Sequence, residues 1–559
     1  MRLPWSEDLG GQGLRGLRPA VALSTPRGEE LREVALCGLV AAVASALVVF
    51  GVPRGGDLAA HLYRTNLVRH GILVWDNLWF TGQYPLSSYS LLYYPLAALV
   101  GNAALGVAGV ALSAGFFAGI ARREWDLVGR WPARVFALLA VGQAFSAAYP
   151  YELGCAALLG TIWALQRRLV KTAVCCTLLS LAFSPLAFFF LALTLVAIFL
   201  SRRRVDRQTI AVGAALLLAG GFQLGIMALL PSPGLYYPYG AWRLAAGLAI
   251  AALGTTLALR GRSRRIASLF LVWACASIVV YAFRSPIGHN FVRVSVFLVP
   301  LMLVLASRVR FRPLWLVLPA LAGAFAASVL PFLPMIPERA SAADARTGFW
   351  QPIVRFLESH ETANFRVEVV PTINHWEAYY VPAAGVPLAR GWYRQLDIAD
   401  NPELYMPVLT SDAYRHWLRS LGVRYVVVPK LPLEAIDGKR EARIVRDRAT
   451  GLRRVWSAFD ATIYELPHPT PILTGPGRAT ITDLDSNLVA GSVARPGRYA
   501  LRLRFSPYEL IRGNVCVSPS RTRLTRLVAQ RPGRFVIQAI EDPLLVVATA
   551  FDGSPTRVC

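Results

Sequence analysis

Long apolar runs separated by short arginine clusters fill the sequence between residues 34 and 333. A helix needs about 20 predominantly apolar residues to cross a bilayer, and most of these runs approach that length. The whole chain has only 16% charged residues, against roughly 25% in ordinary soluble domains. Residues 336–559, by contrast, have a soluble composition. We therefore expect a polytopic α-helical membrane domain followed by a soluble domain.

The arginine clusters occupy every second connection between the apolar runs. They lie at residues 122–123, 167–171, 202–207, 260–265 and 308–312. Cytoplasmic connections carry such an excess of arginine and lysine, so the net charge of +25 indicates topology and not binding to nucleic acid. The pattern predicts about eleven spans, at roughly 34–52, 99–121, 133–149, 153–166, 171–184, 186–200, 208–230, 241–259, 266–283, 293–307 and 313–332.

This topology places the polar N-terminal segment, residues 1–33, in the cytoplasm and the C-terminal domain outside the plasma membrane. Residues 34–333 form the membrane domain, and residues 171–200 are predicted as a hairpin of two short helices. In the C-terminal domain, residues 336–450 read as helix, strand, loop, helix and strand, an α/β subdomain. Residues 451–559 alternate in short strands, including 544–551, and predict a β-sandwich that either binds carbohydrate or only caps the structure.

Residues 53–98 form an outer loop, the longest connection within the membrane domain. At helical spacing Asp57, His61 and Arg64 share one side. The aromatic segment that follows, ILVWDNLWFTGQYPLSSYSLLYYP, suits the depth of the lipid headgroups. We expect a helix along the outer membrane surface and a return to the bilayer through the aromatic segment. In the alternative interpretation this is an amphipathic interfacial helix whose charges face water.

The architecture and three phrases of the sequence resemble the GT-C superfamily of integral-membrane glycosyltransferases. The phrases are GDLAAHLYRTNLVRHG in the outer loop, SPLAFFFLAL in the broken helix pair and LRSLGVRYVVVP in the soluble domain. Members of the superfamily also share a long first outer loop with an acidic residue and an external C-terminal domain. Many of them carry a paired acidic motif in that loop, whereas here Asp57 stands alone between Gly56 and Leu58.

The resemblance implies transfer of a sugar from a polyprenyl-phosphate donor to a glycan or glycolipid acceptor on the outer face. Asp57 would be the general base for the acceptor hydroxyl, and Asp76 is a second candidate whose alternative role is to cap a turn. Arg54 and Arg64 would hold the donor phosphate through their forked donors. His61 would orient Asp57 or bind phosphate.

A second outer connection, FRSPIGHNFVRV at 283–294, carries Arg284, His289, Asn290 and Arg293. Polar groups at membrane depth are costly and are functional candidates by default. We expect them to bind substrate and to form a cationic mouth around Asp57. The alternative is that arginines at helix ends simply extend toward water.

Residues 375–397 of the soluble domain mix aromatic, acidic and basic side chains. The candidates are His375, Trp376, Glu377, Arg390 and Trp392. Aromatic rings beside polar groups suit the faces and hydroxyls of a sugar, and a long loop of this kind is often functional. The alternative is a packing seam between the soluble domain and the helical bundle.

Cys516 and Cys559 are the two cysteines, out of seven, that fall in the predicted external domain. An oxidising compartment predicts a disulfide between them. No spacing indicates a zinc site, a P-loop or a Rossmann fingerprint. Asp57 and His61 can share a divalent cation, but two ligands do not define a metal site.

Two other functions fit the same features. A carrier or flippase for a lipid-linked glycan also needs buried polar groups and a basic entrance, although the sequence has no internal repeat of the kind found in many transporters. A non-catalytic GT-C-like scaffold for envelope assembly fits the single Asp57. Arginine outnumbers lysine heavily, which is typical of GC-rich genomes such as those of actinobacteria. No particular protein partner is indicated.

Overall fold

The computed structural model describes residues 26–51, 55–85, 89–201, 206–232, 235–330, 333, 343–435, 437–552 and 556–559. Arg54 and the arginines at 202–204 lie outside the described residues. The helices of the first part are α1 (Pro26–Gly51), α2 (Leu58–Arg69), α3 (Tyr93–Val100), α4 (Asn102–Trp125), α5 (Arg130–Ser146), α6 (Tyr149–Gln166), α7 (Val170–Phe183), α8 (Pro185–Ser201), α9 (Arg207–Leu229), α10 (Ala241–Arg260), α11 (Arg264–Ala282), α12 (Leu298–Arg308) and α13 (Leu314–Val329). A 3₁₀ segment, Gly288–Phe297, leads into α12.

Six helical segments of the described chain are long and apolar enough to cross a membrane. They are Gly28–Gly51, Asn102–Ser146, Arg207–Leu229, Ala241–Arg260, Arg264–Ala282 and Gly288–Arg308. The helices α7, α8 and α13 are apolar but shorter. Every apolar run predicted from the sequence overlaps a helix, and the run at 171–200 is divided at Ser184 as expected. The first part of the chain is thus a set of apolar helices that is consistent with a polytopic membrane protein.

Arginines from three of the predicted clusters form ion pairs at the same end of the helical bundle. The pairs are Glu29 with Arg122 and Arg130, Glu33 with Arg134, Glu30 with Arg167, and Glu124 with Arg265. The three glutamates Glu29, Glu30 and Glu33 belong to the first turns of α1, whereas Asp57 follows its last turn. The connections that carry Arg122, Arg167 and Arg265 therefore lie at the opposite end of α1 from the Asp57 loop, which agrees with the predicted two-sided arrangement for these three.

The start of α2 is fixed against the end of α5. The backbone N–H of Asp57 donates to the carbonyl oxygen of Ser146 at 3.0 Å. Gly56 has φ of +65°, and a Cβ there would collide with the same carbonyl group. Because His61 and Arg64 are both buried, the interpretation of α2 as an interfacial helix with its charges in water is wrong.

The aromatic segment after α2 is packed inside the protein. Trp75 and Trp79 are fully buried. The indole N–H of Trp79 donates to the carbonyl oxygen of Ala378 in the C-terminal region at 3.1 Å, and the Trp79 ring stacks on Tyr63 of α2 at 4.7 Å. Both tryptophans have apolar bodies and polar tips, and a protein interface with acceptors satisfies them as well as a headgroup layer does.

The C-terminal region begins with an α/β unit built around a four-stranded sheet. Its strands are β1 (Arg366–Val369), β2 (Val423–Pro429), β3 (Arg453–Ser457) and β4 (Ala461–Glu465), in the order β1-β2-β4-β3. Its helices are α14 (Thr347–His360), α15 (Glu377–Ala383), α16 (Arg394–Asp400), α17 (Ser411–Leu421) and α18 (Gly438–Arg446). Only β1 and β2 are parallel. The predicted order of helix, strand, loop, helix and strand is confirmed.

The boundary of this unit lies later in the chain than predicted. Val427 in the middle of β2 pairs with Ile463 of β4, and both side chains are fully buried. Strands β3 and β4 therefore complete the first sheet, and the unit ends after Glu465 instead of at residue 450. Strand patterns alone do not indicate which of two neighbouring sheets a strand joins.

The last part of the chain is a sandwich of two four-stranded antiparallel sheets. Its strands are β5 (Leu473–Thr474), β6 (Ala479–Asp485), β7 (Leu488–Val493), β8 (Gly497–Arg504), β9 (Glu509–Arg512), β10 (Val515–Pro519), β11 (Leu524–Ala529) and β12 (Gly533–Ala539). One sheet has the order β10-β11-β8-β5 and the other β6-β7-β12-β9. The alternating residues of both sheets form one apolar core, as expected for a β-sandwich.

The strand predicted at 544–551 is wrong, because these residues belong to helix α19 (Pro543–Asp552). The carboxylate of Asp542 accepts the N–H of Leu544 at 2.8 Å, and proline is favourable in the first turn of a helix. A short continuous apolar run does not distinguish a strand from a helix by its periodicity. Asp542 and Pro543, just before the run, are typical of the start of a helix and were the better indication of its structure.

Cys516 and Cys559 are joined by a disulfide with a Cα–Cα distance of 5.3 Å, as predicted. The bond holds the end of the chain against β10, where the N–H of Cys559 donates to the carbonyl oxygen of Val517 at 3.1 Å. The other five cysteines of the chain are free thiols.

We expect alkylation of the denatured, unreduced protein to modify five cysteines, because two are held in the bond. The double replacement Cys516→Ser/Cys559→Ser should lower the free energy of unfolding by about 3–4 kcal/mol in the chain-entropy model, since the bond closes a sequence separation of 43 residues. Intact-protein mass spectrometry and thermal unfolding measure the two effects. Seven alkylated cysteines would contradict the bond.

Replacement of Gly56 by alanine should destabilise the protein more than replacement of Gly71, the matched control. Both glycines have positive φ, so both variants pay about 1 kcal/mol for the left-handed backbone. Only at Gly56 does the added Cβ also meet backbone, that of Ser146, at a further cost of about 1–3 kcal/mol. Thermal unfolding of the full chain in detergent measures the difference. Equal midpoints would show that α2 is not docked on the end of α5.

Candidate functional site

An ion pair between the connections at 53–98 and 283–294 lies at the centre of the candidate site. Nη2 of Arg293 is 3.5 Å from Oδ2 of Asp57. Asp57 stands just before α2, and Arg293 lies in the 3₁₀ segment that leads into α12. The side chains are 25% and 20% exposed, so the pair is sheltered but open to a ligand. The expected approach of the two connections is confirmed at these residues.

Asn290 and Tyr151 position the guanidinium of Arg293. Oδ1 of Asn290 is 3.5 Å from Nε, and the guanidinium lies 5.4 Å from the centroid of the Tyr151 ring. Nη1 of Arg293 has no hydrogen-bond partner among the described residues. Arg293 therefore has a donor left over after pairing with Asp57, and such a donor suits an anionic group.

Arg64 lies buried on the same helix as His61 and is held mostly by aromatic rings. Its guanidinium carbon lies 5.9 Å from the centroid of Trp79, 5.8 Å from that of Tyr94 and 5.3 Å from that of Tyr393. Nη2 donates weakly to Gln83 at 3.5 Å, and Nε and Nη1 are buried with no hydrogen-bond partner in the described part of the chain. A cation in such a setting is costly unless an anion accompanies it.

His61 is buried among tyrosines. Its Nδ1 lies 3.2 Å from the hydroxyl of Tyr94, and the rings of Tyr89 and Tyr93 pack against it at 5.4 and 5.5 Å. Burial, followed by the charges of Arg64 and Arg293, lowers the pKa of His61 to about 3. The imidazole is therefore neutral near pH 7. His61 was predicted to orient Asp57 or to bind phosphate; the partner observed for its Nδ1 is the hydroxyl of Tyr94, and a neutral imidazole brings no positive charge to a phosphate.

Three tyrosines that the sequence analysis did not single out lie within electrostatic reach of Asp57. Tyr89 belongs to the first outer loop, Tyr237 to the connection before α10, and Tyr393 to the C-terminal region. Burial, together with the charge of Asp57, raises the pKa of Tyr89 well above its usual value. Burial also raises the pKa of Tyr393 to about 12, although Arg64 acts in the opposite direction. The phenols stay protonated and can donate hydrogen bonds to an oxygen-rich ligand.

Glu152 is a second acidic residue that the sequence analysis passed over. It lies in the first turn of α6, is buried, and is within electrostatic reach of Arg293. The available signal was the glutamate in YPYE at 149–152, the one acid in an otherwise uncharged outer connection. Arg293 thus has two carboxylates nearby, one just before α2 and one in the first turn of α6.

The other predicted residues of the 283–294 connection lie toward its edge. Arg284 is exposed and stacks on Tyr236 at 5.1 Å. His289 is partly buried, and its ring lies 5.3 Å from that of Tyr237. Both contact tyrosines of the neighbouring connection, so His289 reaches the site through Tyr237 whereas Arg284 belongs to its rim.

Asp76 is a structural carboxylate and not an open base. It is fully buried. Oδ1 accepts the hydroxyl of Tyr63 at 2.9 Å and the N–H of Leu78 at 3.1 Å, and Oδ2 accepts the amide of Gln83 at 3.1 Å. Burial raises its pKa to about 6 although these hydrogen bonds lower it. The turn-capping alternative fits these contacts, and the prediction of a catalytic base at Asp76 does not.

Arg390 also has a structural role instead of the predicted substrate contact. Its guanidinium is buried among four carboxylates, those of Glu368, Asp397, Asp437 and Glu441, at 2.7 to 3.3 Å. These carboxylates raise the pKa of Arg390 well above its usual value despite its burial. With its donors used in this way, the side chain ties α16 and α18 to β1.

The remaining candidates at 375–392 are also packed inside the protein, close to Arg390. Nδ1 of His375 lies 3.1 Å from Oε1 of Glu377, and the His375 ring stacks on Trp392 at 3.5 Å. Trp376 is fully buried. The cavity beside these residues has a volume of only about 20 Å³, which is too small for a sugar. The packing-seam interpretation fits this segment, whose contribution to the candidate site is Tyr393.

An apolar cavity of about 230 Å³ lies within the bundle. Its wall includes Phe190, Phe297 and Val294, the residue that follows Arg293, and it extends to Glu124 and Arg265. A hydrocarbon chain suits such a lining. Among the described residues, no group of three or more His, Cys, Asp or Glu side chains is arranged to hold a metal ion.

Comparison of the sequence with models of known protein families and with curated proteins gives no match in either case.

We expect Arg390→Met to lower the free energy of unfolding by about 3–5 kcal/mol, because it leaves several carboxylates buried without their cation. Arg453→Met is the matched control, since this arginine also pairs with a carboxylate, Glu465, but is 69% exposed and should cost less than about 1 kcal/mol. Chemical denaturation of the full chain measures both. Similar stabilities for the two variants would contradict the structural role of Arg390 and favour its predicted role as a ligand contact.

Proposed function

We propose that this protein is a membrane glycosyltransferase that moves a sugar from a polyprenyl-phosphate donor to a cell-envelope glycan or glycolipid. In this proposal the helices cross the plasma membrane about eleven times, the arginine-rich end of the bundle is cytoplasmic, and the C-terminal region lies outside. The Asp57 site then lies at the outer surface, at the depth where the phosphate of a lipid carrier ends.

The observation that carries the proposal is the partly open ion pair of Asp57 and Arg293 beside the buried Arg64. A carboxylate suits the activation of an acceptor hydroxyl. Two guanidinium groups with unused donors suit a phosphate. The tyrosines around them supply hydroxyl groups and ring faces, which suit a sugar. A base, two cations and aromatic rings at the end of an apolar bundle together suit a sugar that is attached to a lipid phosphate.

The chemistry follows from these positions. Asp57 accepts the proton of the acceptor hydroxyl while that oxygen attacks the anomeric carbon of the donor. The bond from the anomeric carbon to the phosphate oxygen breaks, and polyprenyl phosphate leaves with the electron pair. Arg293 and Arg64 stabilise the growing negative charge on the phosphate, the kind of term that is often the largest in catalysis. Attack opposite the leaving group inverts the anomeric configuration.

A carrier for a lipid-linked glycan is the second candidate, supported by the apolar cavity that extends from Val294 to the arginine-rich end. It would use the same cations to bind the phosphate but would need no base. The two functions therefore differ in what the loss of the Asp57 carboxylate does: a carrier keeps its transport and a transferase loses its chemistry.

We expect Asp57→Asn to lower the transfer rate by about 10²–10⁴-fold while the donor still binds. The assay follows the full chain in proteoliposomes, with radiolabelled polyprenyl-phosphate mannose, glucose and arabinofuranose as donors and envelope extract as acceptor. Asp126→Asn is the matched control, because Asp126 lies at the other end of the bundle and is 83% exposed. Unchanged transfer by Asp57→Asn would refute Asp57 as the base. Lipid movement without any transfer would favour the carrier.

The orientation is tested separately, with cysteines introduced at Phe459 and Asp126. Phe459 is 92% exposed in the C-terminal region, and Asp126 lies among the arginine-rich connections. A thiol reagent that cannot cross membranes should label Phe459→Cys in intact cells and Asp126→Cys only after lysis. The reverse pattern would place the Asp57 site in the cytoplasm and exclude a donor on the outer face.

A further inference from the structure

A cleft of about 730 Å³ lies far along the chain from Asp57, between the sandwich, α17 and the first outer loop. The sandwich contributes β8 and β11, α17 contributes His416 and Arg419, and the loop contributes Phe80 and Thr81. Its lining is strongly cationic. It includes six arginines and one carboxylate: Arg419, Arg498, Arg502, Arg504, Arg523 and Arg526, with Asp400.

The alternation of β8 places three of these arginines on one face of the sheet. Tyr499, Leu501 and Leu503 point into the sandwich core and are buried. The residues between them therefore point outward, and among them are Arg498, Arg502 and Arg504.

Strand β11 adds another cation to the same face. Arg526 pairs with Ala500, so it lies between Arg498 and Arg502 on the neighbouring strand. Neighbouring like charges on one sheet face destabilise the sheet. The arrangement therefore costs folding free energy unless a ligand neutralises it.

Little in the protein itself compensates this charge. Arg504 pairs with Asp400 at 2.5 Å, and Arg502 donates to the carbonyl oxygen of Pro471 and the hydroxyl of Thr474. Among the described residues, Arg498, Arg523 and Arg526 form no ion pair with a carboxylate. The exposed face of the cleft thus keeps most of its positive charge.

A further cation is buried behind the cleft. Arg366 is fully buried, and its Nη1 donates to the carbonyl oxygens of Leu421 and Arg502, two residues of the lining. Nε and Nη2 have no partner among the residues that the structure describes. Burial, with the neighbouring charge of Arg502, lowers the pKa of Arg366 to about 9. The positive potential of the cleft therefore has a source that surface salt screens poorly.

We propose that this cleft is a binding site for an anionic glycan, a chain of sugars or polyols that carries carboxylate or phosphate groups. Guanidinium forks bind both kinds of group in a bidentate manner. The cleft is long enough to be lined by two strands, a helix and a loop, which fits an extended polymer better than a single small anion. The site is separate from the Asp57 site and does not depend on transferase activity.

The test is binding of a fluorescently labelled hexagalacturonate to the purified full chain in nanodiscs, followed by fluorescence anisotropy. We expect the double variant Arg498→Gln/Arg526→Gln to bind at least about tenfold more weakly and the affinity to fall as salt increases. Both side chains are exposed and lack carboxylate partners in the described structure, so folding should be unaffected. A labelled glycerol-phosphate hexamer tests the phosphate form of the ligand, and maltohexaose is the neutral probe.

Arg512→Gln/Arg534→Gln is the matched control, because these exposed arginines belong to the other sheet and do not line the cleft. This control should change the affinity less than about twofold. Asp57→Asn should bind the anionic probes as well as the parent protein does, which separates this site from the proposed transferase site. Equal binding by the two double variants, or binding of maltohexaose as tight as that of the anionic hexamers, would overturn the proposal.

Discussion

The insertion of the first outer loop between the helical bundle and the C-terminal region determines the rest of this structure. The loop is held largely through its own backbone groups. The carboxylate of Glu541 accepts the N–H groups of Leu73 and Val74 at 2.7 and 2.6 Å. The N–H of Asn77 donates to Ser486 at 2.7 Å, and the N–H of Leu388 donates to Leu78 at 2.9 Å. Since buried backbone groups must find partners, these bonds fix both C-terminal units on one loop, and α2 continues that attachment to the end of α5.

The candidate site is a consequence of this insertion. It joins Asp57 from the inserted loop, Arg293 from the bundle and Tyr393 from the C-terminal region, so none of the three parts forms it alone. Burial makes the pairing of charge important here, because a buried cation without an anion is destabilising and an ion pair in a sheltered site is screened less than one at the surface. Arg64 and Arg293 retain donors that the described residues do not use. An anionic ligand would satisfy these donors, and the lipid phosphate that we propose as the ligand carries the charge that they require.

The sequence predicted the apolar helices, the break at Ser184, the β-sandwich and the disulfide, because each depends on local composition or periodicity. It also placed the two connections that carry Asp57 and Arg293 on the same side, since the alternation of arginines assigned them so, but it did not establish that the two side chains pair. It left a functional and a structural interpretation open for both Asp76 and Arg390, because a buried, fully paired charge and an open functional one look alike in a sequence. The tyrosines and Glu152 were missed for a related reason: they are brought to Asp57 and Arg293 by four different segments of the chain. The prediction of a strand at 544–551 was wrong because a short apolar run has an ambiguous periodicity. The sheet to which β3 and β4 belong was not predicted, because it depends on pairing with a strand distant in the sequence.

The most direct test of the proposed site is a cryo-electron microscopy map of the Asp57→Asn protein in nanodiscs with a polyprenyl-phosphate sugar. The substitution keeps the shape of the side chain and should trap the donor before transfer. We predict density for the phosphate within hydrogen-bonding distance of the guanidinium of Arg293, with the sugar against Tyr89 or Tyr393 and the lipid chain leading into the apolar bundle. A phosphate bound elsewhere, with the space beside Arg293 and the substituted side chain empty at saturating donor, would contradict the assignment of this site.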